Sequence, residues 1–213
     1  MEETMKAFYD EIAKGYDHEQ EEFGFVRIPE REIVMDALCK VARKDWSVLE
    51  IGAGTGRFTL EIAPLVKRIT AIDVSPNMLE CMSQKLTDRG VTNVRQICGD
   101  FMETTLAEKY DLIVGFSAIE YIKDKQALFA KISNLLAPGG HLIITIPHNT
   151  FFRWWGRMGN YFRQGILMAA YRKRELHQLM KINDLSIIEL TDLCLKSHFS
   201  KGILLFVHAA KKL

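Results

Sequence analysis

A doubly wound α/β sheet of seven strands, mostly parallel with an antiparallel last strand and with helices on both faces, is the fold class this sequence predicts. Three observations predict it. Short, almost wholly apolar runs recur along the chain (SVLEI, RITAID, NVRQIC, YDLIVGF, HLIITIP), and strands that are apolar on both faces belong to parallel sheets covered on both sides. Stretches of helical period separate these runs, and that alternation calls for right-handed crossovers between neighbouring strands. A glycine cluster, Gly52-Ala53-Gly54-Thr55-Gly56, follows the first run directly and opens a helix, at the place where open parallel sheets hold ligands.

Each element has its own signal. Residues 3–14 place Met5, Phe8, Tyr9 and Ile12 on one helical face, and residues 30–43 do the same with Ile33, Val34, Ala37, Leu38 and Val41. Phe23-Gly24-Phe25 joins them. SVLEI (47–51) is the first strand. Arg57 to Leu65 reads as a helix cut short by Pro64, and RITAID (68–73) as the second strand. Ser75-Pro76 starts a helix, with Ser as the cap and Pro at the first helical position, where its missing N–H costs nothing. That helix runs to about Asp88 and stops at Gly90, a left-handed terminator. Strands follow at 93–98 and 110–116, then a helix from Asp124 to Leu136 closed by Pro138-Gly139-Gly140, and a strand at 141–147. Beyond 147 the rhythm breaks. Lys173 to Lys181 reads as a helix, and 185–190 and 203–210 as the last strands.

Composition sets the outer limits. The chain has 213 residues, a net charge of +1, 48% apolar and 26% charged residues, the proportions of one globular domain. They exclude bulk disorder and a whole-chain basic nucleic-acid binder. No apolar run reaches the ~18 residues that span a bilayer. The acidic, amphipathic start MEETMKAFYDEI is unlike a secretory leader. Cys39, Cys81, Cys98 and Cys194 stand far apart without a CxxC pair, which points to reduced thiols and a cytoplasmic location. One domain over 1–213 is expected, with an N-terminal helical cap (1–45), a ligand-binding core (46–147), an aromatic and basic insertion with its helix (148–182) and C-terminal strands (183–213).

The spacing of the glycines narrows the ligand. A dinucleotide fingerprint needs glycine at position 57, which is Arg57, and no phosphate-binding lysine follows the loop. The pattern is acid-x-Gly-x-Gly-x-Gly, which suits a nucleoside ligand without a pyrophosphate. Asp73 ends the second strand, where a carboxylate accepts from both hydroxyls of a ribose. Gly99-Asp100-Phe101 ends the third, where a carboxylate accepts from an exocyclic amine and Phe101 presents its N–H or ring to a purine.

VLEIGAGTGRFT, Asp73 within AIDVSPNML, Gly99-Asp100 and LLAPGGHLIITIP resemble the motifs of class I S-adenosylmethionine-dependent methyltransferases, which have a Rossmann-like fold. FYDEIAKGYD resembles the substrate-side N-terminal helix of the small-molecule branch, which includes the ubiquinone and menaquinone biosynthesis methyltransferases. The resemblance covers roughly residues 8–147. It implies S-adenosylmethionine as methyl donor and S-adenosylhomocysteine as product. Carried over by residue, Glu50, Gly52, Gly54 and Gly56 hold the methionine moiety in the glycine bed, and Asp73 holds the ribose. Val74 and Met78 flank the adenine, Asp100 and Phe101 read it, and Phe116 and Ser117 line the floor beneath the sulfonium.

The acceptor side is less marked. The loop GFSAIEYI lacks the Asn/Asp-Pro-Pro-aromatic tetrad and the Pro-Cys nucleophile of nucleic-acid methyltransferases, so the expected partner is a small molecule and not nucleic acid. Relatives in the quinone branch carry Glu-His where this chain has Glu120-Tyr121. His148 follows the fifth strand and is the best candidate base, against the reading of an exposed turn histidine. Tyr121 is the candidate for orienting the acceptor, against simple packing. Phe8, Tyr16, Phe23 and Trp154 are the candidate substrate contacts. The other histidines do not cluster with acids at ligand spacing, so no metal is expected.

The first 36 residues hold eleven acids and four bases, while residues 150–174 hold six bases, seven aromatics and no acid. The insertion reads as a lid over an apolar acceptor combined with ordinary packing. The alternative is peripheral contact with an anionic membrane, since basic and Trp/Phe-rich segments favour that interface. A further expectation sets the acidic Glu19, Glu21 and Glu22 against the basic insertion. Three functions remain open: methyl transfer to a small organic acceptor, the same reaction on a quinone or lipid-like acceptor at a membrane surface, and cofactor binding without catalysis.

Overall fold

A computed structural model describes residues 2–149, 168–193 and 203–213. Seven strands form one sheet: β1 (Ser47–Ile51), β2 (Arg68–Asp73), β3 (Val94–Cys98), β4 (Tyr110–Phe116), β5 (Leu136–Pro147), β6 (Leu185–Leu193) and β7 (Leu204–Lys211). Their order is β3-β2-β1-β4-β5-β7-β6. The first five are parallel to one another, and β7 runs antiparallel between β5 and β6. The chain winds outward from β1 to β3, returns, and winds the other way from β4. The switch point therefore lies between β1 and β4.

Side-chain alternation feeds two apolar cores. On one face Leu49, Ile113, Leu142 and Ile144 pack with Leu128, Phe129 and Ile132 of α6 (Lys125–Leu135) and Leu176 and Met180 of α7 (Lys173–Ile182). On the other, Val48, Leu112, Val114 and Ile143 pack with Val34 and Leu38 of α3 (Gly24–Val41) and Leu79, Met82 and Leu86 of α5 (Pro76–Asp88). Burying each such side chain stabilises the fold by roughly 1.5–3 kcal/mol. The caps follow the sequence: Ser75 Oγ accepts from the Met78 N–H, and the Asp124 side chain from that of Ala127.

Several boundaries differ from expectation. α3 begins at Gly24, six residues before the expected helix, with Pro29 inside it. The expected helix over 57–65 is one short helix, α4 (Thr59–Ile62), and a 3-10 turn over Ala63–Leu65 that takes Pro64 in its first positions. β5 starts at Leu136 rather than 141. Its ladder to β4 shifts register between Tyr110 and Leu112, so Pro138-Gly139-Gly140 lies inside an irregular strand. Tyr16 opens a separate helix, α2 (Tyr16–Glu22), after α1 (Glu2–Ile12). Among the described residues no helix is long and apolar enough to cross a membrane.

Candidate functional site

The carboxyl ends of β1 to β4 meet beneath α1 and α2 around a cavity of about 710 Å³, its open mouth included. Gly52, Gly54, Asp73, Val74, Met78, Asp100, Phe101, Phe116 and Ser117 line it together, as do Tyr16 and Tyr121. A smaller recess shares Tyr16, Gly52, Gly54, Phe116 and Ser117 with it and adds Glu50, Arg27 and Glu30. Gly56 lines neither; it stands against Met82 and serves the turn.

Backbone geometry explains the glycines. Gly52 has φ +67°, and a β-carbon there would lie 2.3 Å from Cβ of Ala118. Gly54 has φ +54° and open space on its side-chain side, so the main chain itself forms the wall. Its N–H donates to Oδ2 of Asp73 at 2.7 Å, while Oδ1 accepts from the Ser75 N–H at 2.9 Å. Two strand ends are thereby locked, with the carboxylate on the cavity wall. Burial raises the Asp73 pKa, and these backbone donors oppose the rise.

Glu50 is buried at the end of β1 and accepts from Oγ1 of Thr59 at 2.6 Å. Burial pushes its carboxyl up to about 8; the Thr59 bond opposes the rise and the Asp73 charge adds to it. Oδ1 of Asp100 accepts from the Met102 N–H at 2.5 Å. Phe101 is buried with the Lys131 ammonium 5.0 Å from its ring centroid. Phe116 packs on Phe58 at 4.3 Å between centroids.

The N-terminal helices roof the cavity. Asp10 accepts from Oγ of Ser75 at 2.5 Å, and Asp17 from Oγ1 of Thr55 at 2.6 Å and from the Lys85 ammonium. Tyr9 and Tyr121 place their hydroxyls 2.5 Å apart. Behind them lies a polar network absent from the sequence reading. Arg27 Nη1 donates to Oε2 of Glu30 at 2.7 Å and to Oγ of Ser117 at 2.8 Å, and Nε donates to Gln20 at 2.6 Å. Oε1 of Glu30 accepts from Ser117 at 3.0 Å and Thr145 at 2.5 Å. Ser117 has φ +51°, strained for a residue with a side chain, and this network holds it there.

The acceptor-side expectations fare differently. Tyr16 and Tyr121 border the cavity. Phe8 does not; it packs edge-on to Tyr9 at 5.3 Å, and Tyr9 with Met5 faces inward instead. Phe23 is 52% exposed at the α2–α3 junction and beside Phe25, because the second helix starts earlier than expected. His148 does not border the cavity either. Its Nδ1 lies 3.0 Å from Oδ1 of Asp192, whose other oxygen takes the Lys173 ammonium. β6 brings that carboxylate beside the end of β5, within ion-pair distance of the imidazole. Tyr171 of the insertion is fully buried in the core, edge-on to Phe129. Trp154, residues 150–167, and the expected contact of that segment with Glu19, Glu21 and Glu22 lie outside the described residues.

Two signals for the missed groups exist in the sequence. Met5 and Tyr9 are one helical turn apart, and Arg27 and Glu30 stand at i,i+3 spacing, which pairs opposite charges on a helix.

Residues 48–140 match the family model described as a methyltransferase domain. Nodulation protein S of Sinorhizobium fredii is 30% identical over 115 residues, 53% of this chain and 52% of that protein. Malonyl-[acyl-carrier protein] O-methyltransferase 1 of Ilyobacter polytropus is 32% identical over 114 residues, 52% and 42% of the two. The chain thus spans about half the length of the curated relatives it matches. Among solved structures, the N-methyltransferase NodS of Bradyrhizobium japonicum in complex with S-adenosyl-L-homocysteine superposes with a TM-score of 0.69, 25% identity, and coverage of 88% of this chain and 87% of that one. A methyltransferase of Mesorhizobium loti reaches a TM-score of 0.75 at 16% identity, covering 86% and 98%.

Proposed function

The chain carries a methyltransferase domain over residues 48–140, and from that premise we propose that it is a class I S-adenosylmethionine-dependent methyltransferase acting on a small organic acceptor. The observation that carries the reading is the Asp73 carboxylate, set on the cavity wall by the Gly54 and Ser75 N–H groups. Its remaining lone pairs suit the two hydroxyls of a ribose. Asp100 and Phe101 would read the adenine, with Val74 and Met78 at its flanks. In the recess beyond Gly52, Glu50 would take the methionine ammonium. Phe116 and Ser117 would form the floor beneath the sulfonium.

When bound, S-adenosylmethionine supplies an electrophilic methyl group on a sulfonium, which leaves as a neutral thioether. The protein's own task is to align the acceptor and exclude water, and alignment alone contributes up to ~7–11 kcal/mol. α1 and α2 supply the covering walls through Met5, Tyr9 and Tyr16. Calorimetry with S-adenosylhomocysteine tests the reading: micromolar or tighter binding is expected, with about 100-fold loss in Asp73→Ala. No affinity in folded protein would refute it.

A second reading, binding without turnover, is favoured by one observation: no histidine borders the cavity among the described residues. Release of S-adenosylhomocysteine from the methyl donor on addition of acceptors separates the two.

A further inference from the structure

Apart from Asp73 and Asp100, the described residues that line the main cavity carry no formal charge, and three of them make an aromatic corner. Tyr9, Tyr16 and Tyr121 form it. The Tyr9 ring lies 6.2 Å from that of Tyr16 at 70° and 5.8 Å from that of Tyr121 at 86°. Arg27, a cation of the neighbouring recess, is already bound to Glu30, Ser117 and Gln20. An anionic acceptor would lose its hydration there and gain no counter-charge from the described residues. A nitrogen cation would gain the aromatic quadrupoles, which attract it most strongly where water is excluded. Glu120, buried beside Tyr121, adds a negative field; it and burial raise the pKa of all three phenols, so they stay neutral.

Resting on the methyltransferase reading, we infer that this tyrosine corner receives a nitrogen cation, and that the methyl acceptor is a primary or secondary amine rather than a carboxylate. The amine enters as an ammonium ion and gives one proton to water before attack. Its lone pair then forms the N–C bond, the C–S bond breaks with its electron pair left on sulfur, and the product ammonium releases or retains the remaining proton according to pH.

Binding of three probes of equal shape tests this in protein saturated with S-adenosylhomocysteine: choline, 3,3-dimethylbutan-1-ol and 3,3-dimethylbutanoate. Choline is expected to bind at least tenfold more tightly than either. Tyr121→Leu, kept saturated with S-adenosylhomocysteine by prior titration, is expected to reduce that preference to less than threefold; Tyr9→Leu serves the same purpose if Tyr121→Leu does not fold. Equal affinities, or tighter binding of the alcohol or the carboxylate, overturn the inference and leave the methyltransferase reading standing. So does a Tyr121→Leu loss confined to S-adenosylmethionine relative to S-adenosylhomocysteine, which assigns the rings to the donor's sulfonium. Failure of S-adenosylhomocysteine to bind overturns both.

Discussion

Glu30 and Thr145 are 115 residues apart in the chain, yet Oγ1 of Thr145 donates to Oε1 of Glu30 at 2.5 Å in the buried interior. This contact ties the helical cap to the carboxyl end of β5. With Arg27 and Ser117 it joins α3 to the ends of β4 and β5 beside the cavity.

Removing one partner of that network leaves the other charge buried alone. Glu30→Ala is expected to destabilise the fold by about 3–5 kcal/mol, measured by urea unfolding, and to loosen S-adenosylhomocysteine binding. The double variant Arg27→Met with Glu30→Leu is expected to recover most of the stability and none of the binding. A Glu30→Ala variant as stable as the parent would show that the network contributes nothing.

Gly52 and Gly54 separate a folding effect from a ligand effect. Gly52→Ala meets both a left-handed φ and the Ala118 side chain, so a loss of about 2–5 kcal/mol is expected. Gly54→Ala meets only the φ penalty, about 1–2 kcal/mol, and its methyl group projects into open space on the cavity side. It is expected to stay folded and lose at least tenfold in S-adenosylhomocysteine affinity. Thermal melts and calorimetry on the pair check this.

The Glu50 carboxyl, pushed up to about 8 by burial, titrates in the neutral range. A methionine ammonium beside it favours the anion, so ligand binding near pH 7 is expected to release a proton, and affinity to rise with pH up to about 8. Calorimetry in buffers of different ionisation enthalpy measures the release; Glu50→Gln removes it. In the free protein the sign is opposite. The folded pKa is raised above the ordinary value, so this group's contribution is fully present below about pH 4.5 and is lost as pH rises through 8.

At the far end of the sheet, His141 Nδ1 lies 2.8 Å from His208 Nε2. Burial, together with the neighbouring His141, pushes the His208 imidazole down to about 4, and burial lowers His141 as well. The unfolded chain therefore takes up more protons than the folded one between about pH 6.5 and 4. Stability from this pair is present above 6.5 and lost as pH falls through that window, by up to about 3 kcal/mol. His208→Gln is expected to flatten the acid limb of a plot of melting temperature against pH; an unchanged limb would assign it to other groups.

Residue types and their spacing were enough to expect the strands, the helix starts at Ser75 and Asp124, and the run of acids at successive strand ends. These signals are local: apolar periodicity, a capping side chain, a glycine that permits a turn. Helix boundaries around Gly24 were less legible, because Pro29 reads as a breaker in sequence, whereas α3 runs through it at its sixth position without the N–H that would bond to the Phe25 carbonyl.

The sequence by itself therefore determined the sheet, its switch point and the residues at the strand ends, since each depends on neighbours a few positions away. Only the tertiary structure decided that Tyr9 rather than Phe8 faces the cavity, that His148 turns to Asp192, and that Arg27 is neutralised by Glu30 against Ser117. Those outcomes depend on how helices dock on a sheet assembled from distant segments. A side chain's partner across such a distance is set by packing and charge compensation in three dimensions, which leave no periodic trace along the chain.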